Sequence, residues 1–487
     1  MQPQRQSPSA PVTTAAPELQ TLGELRASGH RNTSVKDEIR QNLIARLRAA
    51  QDPFPGILGF DETVRPHLER ALIAGHDVIL LGERGQGKTR LIRTLTGLLN
   101  EWSPVVTGCE INDHPYAPAC VRCRRLAAEF GDELPVSWRH RDERYGEKLA
   151  TPDTSVGDLI GDIDPVKVAE GRTLGDPETI HYGLVPRTNR GVFCLNELPD
   201  LAERIQVSLL NVLEERDIAV RGYALRLPLD LVLIASANPE DYTNRGRIIT
   251  PLKDRFGAEI RTHYPLSLED ELAVVRQEAE IAWSSESDES DSQNAALPRH
   301  LIEVIARFTR LVRSSPAVDA RSGVSARFAI AAAEAVVAAA VRRAAITGED
   351  QPVARICDLP AIVSTLRGKV EFEVSEEGRE GEVLEHLMRR ATADTFRAHL
   401  GSADLSGLVA RFAEGGSVES SDLIPAAELL RRIGEVPGLA RIMERLDGDG
   451  GESFGQAAAA LEFALEGLYL MRRLSKDTVD GGSVYRS

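Results

Sequence analysis

Eight consecutive residues, Gly82, Glu83, Arg84, Gly85, Gln86, Gly87, Lys88 and Thr89, follow the pattern G-x-x-x-x-G-K-[ST]. An apolar run, 77–81, precedes them and a helical pattern follows. Each residue type has a task in that order. Glycines let backbone N–H groups turn inward at phosphate oxygens. The helix that follows aims its positive end at the same anion. Lys88 offers a point charge to the β- and γ-phosphates, and the Thr89 hydroxyl is a ligand for Mg²⁺. The chemistry this predicts is binding of ATP with Mg²⁺.

Two further runs end in residues that suit phosphate hydrolysis. Residues 191–195 (GVFCL) are apolar throughout and end in Asn196 and Glu197. A carboxylate at such a strand tip can polarise the attacking water, which gives Glu197 a role. The position before it normally holds an Asp that supports Mg²⁺. Here it is Asn196. An amide oxygen accepts a hydrogen bond from a metal-bound water but carries no charge, so metal support is weaker. Residues 231–236 form a third run, ending in Ala237, Asn238 and Pro239. An amide there, beside Glu197 in a parallel sheet, can orient the water or sense the γ-phosphate.

A separate group has metal-ligand spacing. Cys120 and Cys123 form C-x₂-C, with Cys109 eleven residues earlier and His114 between. Three thiolates and one imidazole make a closed tetrahedral Zn²⁺ site. The stretch is polar and holds Pro115 and Pro118, so a metal would order it and add to folding free energy. Cys194 lies inside an apolar run and reads as a core residue.

These residues need elements to position them. Short runs that are apolar on both faces alternate with helical patterns from 77 to about 264, which predicts a parallel α/β sheet. Residues 1–33, rich in Pro, Gln, Ser and Thr, read as a mobile tail. Residues 34–265 form the nucleotide-binding core, with the cysteine-bearing insertion at 109–148. Residues 266–370 are a helical lid, and 371–487 an acidic helical region. Ser34 is the expected N-cap of a helix over 35–47, with Asp37 placed for a capping box. Segment 284–293 (SSESDESDSQ) reads as a solvated linker, and 447–452 (DGDGGE) as a turn.

The whole chain has 487 residues, more than one domain. Its 58 Lys and Arg against 74 Asp and Glu leave a net charge of −16. That excludes nonspecific binding to nucleic acid or anionic membrane as its main business. Five cysteines argue against a disulfide framework and fit the cytoplasm. No run is apolar and long enough to span a bilayer, and the N-terminus lacks the plan of a secretory signal.

Together these motifs resemble the AAA+ ATPases, most closely the branch of the magnesium-chelatase ATPase subunit and the MoxR proteins. The likeness is best over 54–264. Segment 54–60 (FPGILGF) looks like the family motif that flanks the adenine, and 183–192 (GLVPRTNRGV) like the approach to its second nucleotide-binding strand. Segment 252–256 (LKDRF) matches L-x-D-R-F, whose Arg255 is the arginine finger for a neighbouring subunit's ATP. Segment 323–327 (GVSAR) resembles the sensor 2 motif, whose Arg327 touches the γ-phosphate from the lid. Residues 217–229 look like the clade's hairpin before the third strand.

The resemblance implies an αβα core followed by a helical lid, and an ATP-hydrolysing ring, usually a hexamer. It also implies a partner with a von Willebrand factor A domain. Work on that partner would be remodelling or metal insertion. Two other readings stay open. Asn196 is compatible with a nucleotide-gated scaffold that hydrolyses little. A sigma-54 transcription activator uses a related core, but its G-A-F-T-G-A loop is absent from the sequence.

Overall fold

The computed structural model describes residues 15–164, 166, 169–170, 179–215, 227–239, 247–281, 295–319, 323–412, 416–447, 453–479 and 482–486. The chain divides into two compact units, Met1–His263 and Tyr264–Ser487.

The first unit is built on a five-stranded parallel sheet. In chain order its strands are β1 (Val78–Leu81), β2 (Tyr145–Leu149), β3 (Val192–Asn196), β4 (Val232–Ala237) and β5 (Ala258–Arg261). Their spatial order is β2-β3-β4-β1-β5, every neighbour pair parallel. The strands β1, β3 and β4 are buried along their whole length, as the apolar runs predicted. Apolar cores lie on both faces of the sheet. One holds Ile79, Phe193, Leu195 and Leu233, the other Val78, Leu80, Cys194 and Ile234. Alternate residues of each strand thus point to opposite layers. The edge strands β2 and β5 escaped the sequence reading because they are polar, reading YGEKL and AEIR.

The helix Val35–Arg48 has Ser34 as its N-cap, accepting from the Asp37 N–H. Asp37 returns no bond to the Ser34 N–H; its carboxylate instead accepts from the Ser34 hydroxyl at 2.7 Å. From this helix Glu38 forms a buried, two-pronged ion pair with Arg144, at 2.8 and 2.7 Å, just ahead of β2.

The tail reading needs correction. A helix, Leu22–Ala27, has a capping box at Thr21 and buries Leu22 and Leu25. Trp138 donates to the Leu19 carbonyl at 2.9 Å, and the Val136 N–H to that of Gln20 at 2.8 Å. Two apolar anchors in a polar stretch were too few to betray the helix by periodicity.

The second unit packs helices around one continuous core. Helix Leu268–Glu278 starts at the N-cap Ser267, and Arg299–Arg313, Ala326–Thr347, Glu380–Leu400 and Phe454–Leu470 follow. The unit does not divide near 370, because residues from both sides of that position share the core. Nor is it wholly helical: Val418–Ser420, Ser475–Val479 and Gly482–Arg486 make a three-stranded antiparallel sheet. The segment 284–293 lies outside the described residues, as do most of the hairpin at 217–229 and of the turn at 447–452.

Candidate active site

The loop Gly82–Thr89 leaves β1 and enters the helix Lys88–Thr94. Gly85 and Gly87 take φ of 73° and 76°, which glycine adopts without a Cβ penalty. Gly82 has a different constraint: a Cβ there would come within 2.0 Å of Thr262 Oγ1. Gln86 is pinned by the same threonine, whose hydroxyl donates to its Oε1 at 2.7 Å. Glu83 is half-buried and Arg84 exposed.

Lys88 is buried, and its ammonium is surrounded by oxygens. It donates to the Gly82 carbonyl, to the Glu83 carbonyl at 2.8 Å and to Asn238 Oδ1 at 2.9 Å. The tips of β3 and β4 continue the network. Asn238 Nδ2 donates to Glu197 Oε2 at 2.6 Å. Asn196 Oδ1 accepts from Ser236 at 3.0 Å and from Thr89 at 3.4 Å. The parallel register therefore brings Lys88, Thr89, Asn196, Glu197 and Asn238 to one edge of the sheet, the carboxyl ends of its strands, where α/β folds bind ligands. Glu197 sits at φ 56°, ψ 46°. A left-handed non-glycine residue at a strand tip is a strained device of the kind found at functional sites.

One residue of this site was not foreseen. Glu147, on edge strand β2, accepts from Asn196 Nδ2 at 2.8 Å. Its other oxygen accepts from Arg93 at 3.0 Å and Tyr145 at 2.9 Å. The neutral amide at 196 is thus next to a carboxylate contributed from one strand over. An Asp at 196 would place two anions in contact, which raises the pKa of one of them. No spacing rule in the sequence links 147 to 196; only the β2–β3 pairing does.

Arg255 ends the helix Thr250–Arg255, and its Nη2 donates to both carboxylate oxygens of Glu214 of its own chain, at 3.0 and 2.9 Å. Arg327 is exposed in the first turn of the helix Ala326–Thr347, whose N-cap is Ser325. In segment 54–60 Phe54 and Phe60 are buried, and Arg65 lies over the Phe54 ring at 5.7 Å.

The cysteine reading is altered in one ligand. Cys109, Cys120 and Cys123 converge as expected, but the fourth group is Asp113. His114 turns elsewhere: its Nδ1 accepts from the Tyr116 N–H at 3.0 Å, and its Nε2 lies 3.4 Å from that of His30. Burial holds its pKa down at about 3. Cys and His spacing gives no reason to prefer the adjacent Asp.

A parallel sheet in this order, with a phosphate loop after β1 and acid and amide groups on neighbouring strand tips, defines the αβα core of the AAA+ ATPases. The comparisons with known proteins agree. The sigma-54 interaction domain matches residues 173–255, a span that includes β3, β4 and Arg255. The chain is 32% identical over 237 residues to the magnesium-chelatase 38 kDa subunit of Acidiphilium rubrum, covering 46% of this chain and 62% of that one. It is 28% identical over 267 residues to the magnesium-chelatase subunit ChlI of a Nostoc species, covering 53% and 67%. It therefore spans only about two-thirds of those relatives, and about half of it is matched. A structure of the complex between magnesium-chelatase subunits BchI and BchD aligns with 68% of this chain and 98% of that one, at 21% identity and a TM-score of 0.33. The sequence relatives bear out the resemblance read from the motifs on its chelatase side: the chain is similar to AAA+ subunits of magnesium chelatase. Among the described residues no helix is long and apolar enough to cross a membrane.

Proposed function

We propose that this chain is a Mg²⁺-dependent AAA+ ATPase of the chelatase type, which couples hydrolysis to remodelling, or to metal-insertion-type maturation, of a partner protein. The observation that carries this reading is the meeting of Lys88, Thr89, Asn196, Glu197 and Asn238 at one edge of the sheet. Lys88 would exchange its carbonyl partners for phosphate oxygens. Thr89 would hold Mg²⁺, which when bound neutralises phosphate charge. Glu197 aligns the attacking water, and Asn238, bonded to both Lys88 and Glu197, reports the γ-phosphate to that acid. Glu147 supplies the negative charge that Asn196 lacks, which favours turnover over the scaffold reading.

Arg255 would serve a neighbour's site after leaving Glu214, and Arg327 would couple the lid. Such a finger calls for a ring, by family resemblance a hexamer, working in the cytoplasm on a protein with a von Willebrand factor A domain. The sigma-54 match covers a segment of the AAA+ core without the polymerase-contacting loop, so it does not favour an activator.

The experiment is ATP turnover per chain across protein concentrations, for wild type, Arg255→Ala, and a mixture of Arg255→Ala with Glu197→Gln. The proposal expects turnover to rise with concentration and the mixture to exceed either variant alone, because each supplies what the other lacks. Turnover independent of concentration and unaffected by Arg255→Ala would remove the ring mechanism.

A further inference from the structure

We propose that Cys109, Asp113, Cys120 and Cys123 form a structural zinc site that clips the insertion ahead of β2. One ligand atom from each residue lies within 4.8 Å of all the others. For Zn–S bonds of about 2.3 Å, tetrahedral geometry puts sulfurs about 3.8 Å apart, so small side-chain adjustments close the site.

Two observations beyond the clustering point to a cation. Asp113 is 1% exposed, and its Oδ1 has no hydrogen-bond partner. A buried carboxylate oxygen left bare is costly, and a metal would satisfy it. Its other oxygen is already fixed, accepting from the Cys120 N–H at 2.9 Å. The sulfurs are also oriented as ligands usually are, by bonds from outside the coordination sphere. Cys109 Sγ accepts from the Asp113 N–H, and Cys120 Sγ from the Cys123 N–H, both at 3.3 Å.

The donor set chooses the metal. Three thiolates and one carboxylate are too soft for Mg²⁺ or Ca²⁺, which take oxygen. Iron–sulfur clusters use four cysteines, or pairs of Cys and His. A tetrahedral S₃O set suits Zn²⁺.

The site would join three pieces. Cys109 follows the strand Trp102–Val106, Asp113 lies in the loop, and Cys120 and Cys123 open the helix Val121–Phe130. The loop between is tied to the run entering β3. Asn112 donates to the Arg187 carbonyl at 2.6 Å, and Asn189 to that of Ile111 at 2.9 Å. A metal here would therefore also steady the approach to the strand that carries Asn196 and Glu197.

The test uses the full chain, purified under reductant and then given Zn²⁺ or Co²⁺ after chelation. Expected are one zinc per chain by elemental analysis and a cobalt spectrum with thiolate charge transfer and tetrahedral d–d bands. Asp113→Asn should keep the charge transfer but weaken Co²⁺ binding by a factor of about ten or more, and His114→Ala should leave it unchanged. The wild-type spectrum needs no variant, so poor folding of a cysteine variant cannot blur the answer. No metal taken up, a Cys120–Cys123 disulfide found by mass in the reduced preparation, or weakening by His114→Ala but not by Asp113→Asn would each overturn the assignment.

Discussion

Two buried polar clusters of this protein, the nucleotide site of the first unit and a helix–loop network of the second, use charge in opposite ways. At the nucleotide site Lys88 is buried and donates to two carbonyls and to the Asn238 amide oxygen, while Asn196 and Asn238 donate to the carboxylates of Glu147 and Glu197. In the second, Arg343 and Arg355 are wholly buried and matched to anions of the same unit. Arg343 pairs with Glu349 and with Asp358 at 3.2 Å. Arg355 lies 3.4 Å from Glu462 and donates to the Ile424 carbonyl at 2.6 Å. Charge that is matched in place fastens helices to loops. The carbonyl and amide oxygens to which Lys88 donates are partners that the oxygens of an anion can replace. Buried charge alone therefore does not mark a site; the kind of partner does.

The largest effect that would sharpen this contrast is on stability. Arg343→Met leaves the buried Asp358 and the half-buried Glu349 without their cation, a loss of about 3–5 kcal/mol. Urea unfolding should show the second transition shifted well down. A shift under about 1 kcal/mol would mean the network is not what fastens that unit.

A smaller effect separates the roles of positions 147 and 196. Glu147→Gln should raise the Mg²⁺ concentration needed for half-maximal turnover by about 10–100-fold. Asn196→Asp alone should not help, because the new anion faces Glu147 at 2.8 Å. The double variant should recover most of the loss, since it returns one carboxylate to the pair. Additive losses would show that the two residues do not share the task.

The smallest effect is a pH dependence in the second unit. His399 lies 2.7 Å from Glu303, and that hydrogen bond raises its pKa above the ordinary 6.5 while burial opposes the rise. Glu303 also pairs with Arg307. A raised histidine stabilises fully below about pH 6.5 and loses that contribution as pH climbs through the folded value. Melting temperature should therefore fall by a few degrees from pH 6 to pH 8.5, and less so in His399→Gln. An equal fall in the variant would assign the dependence to other groups.

The sequence carried the site better than its surroundings. β1, β3 and β4 were readable because strands buried on both faces are apolar without interruption, and their tips bring the chemistry with them. β2 and β5 were not, since edge strands carry Glu147, Lys148, Glu259 and Arg261 and lose that signature. With β2 went Glu147, whose role exists only through pairing. The short strands near the C-terminus were hidden for a similar reason: SKDTV is largely exposed, and GSVYR buries only Gly482 and Tyr485. Asp113 shows the limit of motif spacing, which names residue types in advance and passes over an acid one position from the expected His114.

The most direct test of the account is ATP binding and ATP turnover measured on the same preparations of wild type and Glu197→Gln, with Mg²⁺. Removing the carboxylate proposed to align the water should leave affinity near wild type and cut turnover by about 10²–10⁴-fold. If the wild type binds ATP and both proteins turn it over equally slowly, the strand-tip residues are a nucleotide-gated scaffold and not a hydrolytic site.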